Sequence, residues 1–441
     1  MSPTPAQADC ILQARWIAPV EGSAELLAHH ALVIKEGRIA DLLPADQVEG
    51  RWQAPEHHDL SSHLLIPGLV NAHTHSAMNL FRGLADDLPL AEWLEEHVWP
   101  AEGKWVSEEF VTDGARLAVA EMIRGGTTCF SDMYFYPDSI ARAATEAGIR
   151  AAIFSPVLDF PTPMGQGPDD YLHVATRFID DWRNHPLITP GFGPHSPYAV
   201  SDEPLARIRT LSDEMDVPVM IHLHETAGEV QPDANGERPL ARLHRLGLLS
   251  PRLLAAHMVH LDEEEVRLTA QTGTHVAHCP ESNLKLASGF CRVTTLREAG
   301  INVALGTDGA ASNNDLDMIG EMRTAALLGK AVSGDAAALP AHEILAMATL
   351  NGARSLGLDQ QTGSLVAGKN ADIVAVDMAE LEARPLYDPV AQLVYSCTRN
   401  QVSHVWVNGR CLMAGREMRT LNLERLLRVA DNWQQQLAGF S

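Results

Sequence analysis

Positive charge is scarce in this chain. Its 33 Lys and Arg stand against 57 Asp and Glu, a formal net charge of −24 over 441 residues. That balance argues against nucleic acid or an anionic membrane as partner, since both need a basic surface. Cysteine is scarce too. The six, Cys10, Cys129, Cys279, Cys291, Cys397 and Cys411, are scattered with no C-x-x-C pair. No disulfide framework is expected, and a reduced, cytoplasmic setting is the default. The first ten residues, MSPTPAQADC, lack a basic start followed by an apolar core, so no signal peptide is read there. No apolar run approaches the roughly 20 residues of a membrane span. Lysine is missing altogether between Lys104 and Lys285.

What is present is a repeated pattern. A short apolar or β-branched run ends in a polar residue, and a helical stretch follows. The runs cover 64–75, 126–133, 151–159, 187–196, 217–225, 253–260, 274–282 and 301–309. Strands alternating with helices imply a parallel sheet. Eight units over about 250 residues predict a closed (β/α)8 barrel of the TIM type. An open doubly wound sheet is the alternative, disfavoured because no Gly-rich phosphate turn opens the first unit. The ends read differently. ALVIKEGRIADLLP (31–44), ADIVAVD (371–377) and VSHVWVNGRCLMAGR (402–416) alternate, with turns at Glu36-Gly37 and Asn408-Gly409. The expected organisation is therefore residues 65–363 as the barrel. Residues 1–64 and 364–441 would together make one small β-sandwich domain, because neither end has enough strands to bury a face alone. A terminal helix carries Leu423, Leu426, Leu427 and Ala430 at helical spacing.

Barrel enzymes build their sites at the carboxyl ends of the strands. The polar residues ending the runs are His73 and His75, Asp132, Asp159, His195, His222 with Glu225, His257, Glu281 and Asp308. His73 and His75, two apart, share a strand face and can share an ion. Imidazole nitrogens with a carboxylate oxygen suit zinc, and also iron or manganese. Some barrel hydrolases bridge two metals with a carboxylated lysine from the fourth strand. The lysine-free middle of this chain rules that bridge out, so the expectation is one divalent metal ion per chain, Zn2+ foremost with Fe2+ or Mn2+ as alternatives.

With these residues in view, the chain resembles the amidohydrolase superfamily. PGLVNAHTH, IHLHET, AAHMVHL and LGTDGAASNN stand where that superfamily has them, and GSLVAGKNADIVAVD is similar to its C-terminal signature. FRGLADDLPLAEWLEEHVWPAE (81–102) and GFGPHSPY (191–198) most resemble the 5′-methylthioadenosine/S-adenosylhomocysteine deaminases. The resemblance implies His73, His75, His222 and Asp308 as metal ligands. It implies His257 and Asp308 as the groups that orient and deprotonate the attacking water, and Glu225 as the proton donor to the ring nitrogen. It aligns Glu102 with a glutamate that binds nucleoside hydroxyls and His195 with a substrate-binding histidine, and sets Trp93 against the ligand. The implied partner is a small nucleoside, with neither nucleic acid nor membrane, and the implied assembly is a homo-oligomer.

Blander readings stand beside these. Trp93, Trp99 and Trp105 could be packing aromatics, and Glu102 an ordinary helix-start carboxylate. His224, between His222 and Glu225, is turned away by alternation. Asp132 and Asp159 read as supporting or loop residues. Guanine, cytosine or s-triazine hydrolysis, and a non-catalytic scaffold on the same fold, are the competing functions. One departure bears on substrate. IFSPVLDFPTPMG has no arginine between Arg150 and Arg177, which favours an apolar methylthio tail over a charged amino-acid tail.

Overall fold

The computed structural model describes residues 5–21, 26–88, 92–233 and 236–438. Residues 1–4, 22–25 and 439–441 of the two end segments, and 89–91 of the 81–102 segment, lie outside the described residues.

The longer N-terminal strands are β1 (Cys10–Ile17), β2 (Leu27–Lys35), β3 (Arg38–Pro44) and β4 (Glu56–Pro67). Eight further strands follow: β5 (Leu69–Thr74), β6 (Thr127–Met133), β7 (Arg150–Val157), β8 (Ile188–Pro194), β9 (Val219–Leu223), β10 (Leu253–His257), β11 (His275–His278) and β12 (Val303–Leu305). They pair in parallel, in chain order, as one eight-stranded sheet. Each falls within one of the eight apolar runs or begins one residue before it, so the alternating pattern is the barrel. Helices such as Glu108–Arg124, Asp202–Met215 and Glu263–Thr272 separate them. The last starts in a capping box of Asp262 with Glu265, which satisfies two otherwise orphaned backbone donors. The barrel interior is filled by small and medium side chains: Val70, Ala72, Cys129, Met133, Ala152, Phe154, Met220, Leu254, Ala277 and Ala304, closed off by Ala353, Leu356 and Leu358.

The first and eighth barrel strands meet by a different route from the others. Asp308 N donates to His73 O at 2.9 Å. Asn71 Nδ2 donates to Thr307 Oγ1 at 2.7 Å, and Thr307 N donates to Asn71 Oδ1 at 3.0 Å.

Strands from both chain ends share a second sheet. β13 (Ile373–Asp377), β14 (Val402–Val407), β15 (Arg410–Ala414) and β16 (Glu417–Met418) join β1–β4 in the order β16-β15-β14-β13-β4-β1-β2-β3. β4 is the central member, antiparallel to β13 and parallel to β1. The turn at Asn408-Gly409 has φ of 49° and 74°, the left-handed pair that a two-residue hairpin requires. β4 passes into β5 at Gly68, where a Cβ would lie 1.9 Å from Thr128 Oγ1, so no larger residue fits. The terminal helix, Leu423–Leu437, buries Leu426, Trp433 and Leu437, while Leu427 on the same helix is exposed.

One buried ion pair joins sheet to barrel. Arg150, at the start of β7, places Nε 3.1 Å from Asp372 Oδ2 and donates from Nη1 to Pro186 O at 3.0 Å. Asp372 also accepts from Asn408 N at 2.7 Å, and its carbonyl accepts from Gly68 N. Both side chains are almost wholly buried. Removing one partner strands the other charge. Asp372→Ala should therefore lower unfolding free energy by about 3–5 kcal/mol in a denaturant titration, and Arg150→Met on top of it should restore part of that loss.

Candidate metal centre and cavity

The polar run ends converge at the carboxyl end of the barrel. His73 and His75 sit at the end of β5, with ring centroids 4.8 Å apart. Asp132 holds the turn that carries them, accepting from Ser76 N at 2.8 Å, Ser76 Oγ at 2.5 Å and Thr74 Oγ1 at 3.0 Å. His75 Nδ1 donates to Met133 O and His222 Nδ1 donates to His195 O, both at 2.7 Å. His257 Nδ1 faces Asn283 Oδ1 at 2.9 Å. With Nδ1 committed outward, each ring presents Nε2 to the centre. Asp308 completes the ring of donors. Its Oδ2 accepts from Ser282 Oγ at 2.7 Å and Ser312 Oγ at 2.8 Å. Its Oδ1 lies 3.3 Å from His73 Nε2 and 3.2 Å from His75 Nε2. His257 and Asp308 both have positive φ, 74° and 63°, a backbone cost of about 1–3 kcal/mol each that clusters at functional sites.

The donor set fits a divalent cation. His73, His222, His257 and Asp308 each offer a ligand atom, and these atoms all lie within 4.8 Å of one another. His75 Nε2 and His222 Nε2 are 3.2 Å apart although both rings spend their Nδ1 hydrogens on carbonyls. His73 Nε2 is buried and lacks a hydrogen-bond partner. Lone pairs facing each other and an orphaned buried nitrogen are unfavourable unless a cation lies among them. The charge balance says the same. Burial lowers the His75 pKa and the Asp308 carboxylate raises it, so the carboxylate calls for a positive charge here, which a bound cation supplies in place of a proton on the ring.

A cavity of about 360 Å³ opens beside these donors, the size of a small-ligand site. Its walls include Trp93, Glu102, His195 and Glu225, so every candidate substrate contact named from sequence faces it. Glu225 lies with Oε2 3.9 Å from His257 Nε2, and burial raises its carboxyl pKa. Burial and the neighbouring histidines lower His195 to about 3, leaving it neutral. Trp93 and Glu102 come from the long connection after β5, a π-helical turn (Trp93–Val98) running into the helix Trp99–Trp105. Trp99 and Phe160, both partly exposed, face each other at 6.4 Å between ring centroids.

Other sequence candidates fall outside this centre. His224 is committed on both nitrogens: Nδ1 donates to His260 O at 3.1 Å, and Nε2 accepts from Leu240 N at 3.2 Å. Asp159 accepts from Ser201 N. Glu281 is held by Thr324 at 2.7 Å. Several residues of the site carried no signal in the sequence: Ser282, Ser312, Asn283, Tyr134 and Glu229. Glu229 accepts from the backbone N–H of both His224 and Glu225, at 3.0 and 2.8 Å, and so fixes where Glu225 points.

Comparison with known proteins agrees with this geometry. Residues 64–412 match the model of the amidohydrolase family. The chain belongs to the amidohydrolase family. Its curated relatives include a 5-methylthioadenosine/S-adenosylhomocysteine deaminase of Saccharophagus degradans, 53% identical over 97% of this chain and 96% of that one. Another of the same name, from Teredinibacter turnerae, is 48% identical over 98% of each chain. Among solved structures, an adenosine deaminase from Xanthomonas campestris with bound zinc superposes with a TM-score of 0.98 at 46% identity, covering 99% of this chain and 100% of that one. Atrazine chlorohydrolase from Arthrobacter aurescens has a TM-score of 0.90 at 23% identity, over 96% of this chain and 99% of that one, a likeness of fold. As an amidohydrolase the chain is a hydrolase acting on a C–N bond, and its barrel centre is a divalent-metal site.

Glu102 offers a test of the cavity that does not depend on catalysis. Burial raises its carboxyl pKa from 4.5 to about 7, with the hydrogen bond from Tyr134 OH (2.7 Å) opposing. A raised carboxyl pKa costs stability progressively from pH 4.5 upward, in full above pH 7. A shift of that size corresponds to about 3 kcal/mol. Glu102→Gln should therefore stabilise the protein by up to that amount at pH 8 and change little at pH 4, as read by thermal melts at the two values.

Proposed function

We propose that this amidohydrolase deaminates 5′-methylthioadenosine to 5′-methylthioinosine and ammonia, with S-adenosylhomocysteine as the poorer substrate. The relatives' names support the substrate class. The observation that carries the preference is the cavity wall. Its described lining has Trp99, Pro156, Leu158, Phe160, Pro161 and Pro163, and no lysine or arginine.

In this reading His73, His75, His222 and Asp308 hold the metal ion. When bound, such an ion supplies Lewis acidity and makes hydroxide available at neutral pH. His257, steadied by Asn283, orients the attacking water and with Asp308 takes its proton. Asp308 keeps its carboxylate aimed because two serines bind its other oxygen. Glu225, whose carboxyl pKa burial raises, gives a proton to the purine nitrogen beside the attacked carbon. Attack on the carbon bearing the exocyclic amine forms a tetrahedral centre; the proton taken from the water passes to the amine, the C–N bond breaks and ammonia leaves, while the hydroxyl proton returns to the Glu225 carboxylate as the carbonyl forms. Glu102 binds the ribose hydroxyls, neutral His195 hydrogen-bonds the substrate, and Trp93 packs on it. Among the described residues the six cysteines are all free thiols, which supports a reducing, cytoplasmic setting. Guanine, cytosine and s-triazine hydrolysis would leave the apolar residues of the cavity wall without a partner group. A non-catalytic scaffold would leave the buried Glu225 carboxyl without a use.

Two measurements check this. Glu225→Gln should retain the metal by elemental analysis yet lose about 10²–10⁴ in kcat, because an amide cannot deliver the proton; near-normal turnover would remove Glu225 from the mechanism. In ammonia-release assays kcat/KM should favour methylthioadenosine over S-adenosylhomocysteine by about tenfold or more. The zwitterionic tail must shed water against a wall with no fixed cation, which costs more than the roughly 1.4 kcal/mol that makes a factor of ten. Equal or reversed values would mean that a cation reaches the tail from elsewhere.

A further inference from the structure

A second group of metal-ligating side chains lies far from the barrel mouth, on the sheet built from the chain ends. Cys10 on β1 and Glu56 on β4 are register partners, and His58 follows two residues along β4, opposite Leu12. A step of two keeps Glu56 and His58 on one face. The Cys10 sulfur, a Glu56 oxygen and a His58 nitrogen all lie within 4.8 Å of one another. Cys10 is buried, His58 is half-buried and Glu56 is exposed. The group therefore runs from the core of the sheet out to solvent, with an open path for an ion.

The surroundings hold the imidazole in place without using it up. The His58 ring stands edge-on to His404 at 5.6 Å and to Trp406 at 5.4 Å, and His404 and Trp406 stack with 7° between their planes. No hydrogen bond among the described residues satisfies any of the three converging ligand atoms. Three such atoms, one each of sulfur, nitrogen and oxygen, converge with none paired to another. At metal–ligand distances of about 2.1–2.3 Å, tetrahedral ligand atoms sit about 3.4–3.8 Å apart, so small side-chain rotations from the present positions complete the geometry.

We propose that Cys10, Glu56 and His58 form a second metal site for a borderline transition-metal dication such as Zn2+, with solvent completing the coordination. A thiolate and an imidazole select such an ion over Mg2+ or Ca2+, which take oxygen ligands. Loading breaks the Cys10 S–H bond and forms the sulfur–metal bond, and the proton leaves to solvent. Burial, Glu56 and Cys411 push the free thiol up to about 12, so the empty site keeps that proton at neutral pH. The lysine-free middle of the chain limits the barrel to one ion and has no bearing on this sheet.

Cobalt distinguishes the two sites, because the barrel donors include no thiol. Co2+ titrated into the full-length enzyme holding a single equivalent of Zn2+, the amount the barrel takes, should produce a near-ultraviolet thiolate-to-cobalt charge-transfer band that saturates at one equivalent. Cys10→Ser should abolish the band, and Cys411→Ser should keep it. His58→Ala, far from the barrel centre, should weaken cobalt binding by about tenfold or more while deaminase turnover stays at the wild-type level. No band at a large excess of Co2+, or a band that survives Cys10→Ser, would overturn the proposal. Failure of deamination in every protein, with the band intact, would instead count against the proposed catalytic function.

Discussion

Asp308 does two jobs with one residue. Its backbone N–H reaches across to His73 O and helps close the barrel where the first and eighth strands have no ladder between them. Its carboxylate divides its labour, one oxygen toward His73 and His75, the other held by Ser282 and Ser312. The seam of the barrel is thus also the centre of the site. A shift of the eighth strand against the first would move donors from two walls at once. The left-handed backbone at Asp308 is tolerated because hydrogen bonds on both of its sides leave the residue no other place to go.

The same seam is braced from outside. Glu121, on the helix Glu108–Arg124, accepts from Asn79 Nδ2 at 3.4 Å, from Arg82, and from Arg399 Nη1 at 2.9 Å, and it meets Leu316 N at 3.4 Å. One carboxylate thereby ties the chain following His75 to the chain following Asp308. Arg399 belongs to the C-terminal segment, so the ends of the chain also bear on the site. Glu229 plays a comparable part on the far wall through the two backbone hydrogens flanking Glu225.

Why the strand ends were legible and their supports were not is a matter of physics. A buried strand is an apolar run, and the polar residue that stops it stands out against that run. His73, His75, His222, His257 and Asp308 could each be picked out this way, and Asp132 with them, although nothing in the letters said that Asp132 would grip Ser76. Ser282, Ser312 and Asn283 lie on or near a short helix after the seventh strand or in the loop after the eighth. Serine and asparagine in loops are common, and their hydrogen bonds follow no period. Arg150 and Asp372 are more than two hundred residues apart, and each looks like an ordinary surface charge until the fold brings them together under cover. The terminal sheet was readable from its alternation and its Asn-Gly turn, but its strand order was not, because a two-residue period is silent about which strand neighbours which.

The placement of β4 has a consequence for how the molecule comes into being. This strand carries β1 on one side and β13 on the other. The first neighbour has already been made when β4 emerges, but the second comes only after the entire barrel has been made. At ordinary elongation rates that interval is on the order of tens of seconds. Throughout it the newborn chain displays a long strand whose last four residues, LLIP, are apolar, with one edge open for pairing. Nascent chains on neighbouring ribosomes present the same edge. Its shielding, by the forming barrel or by a chaperone, is therefore a condition on the yield of the enzyme, set by topology before any catalytic residue is in place.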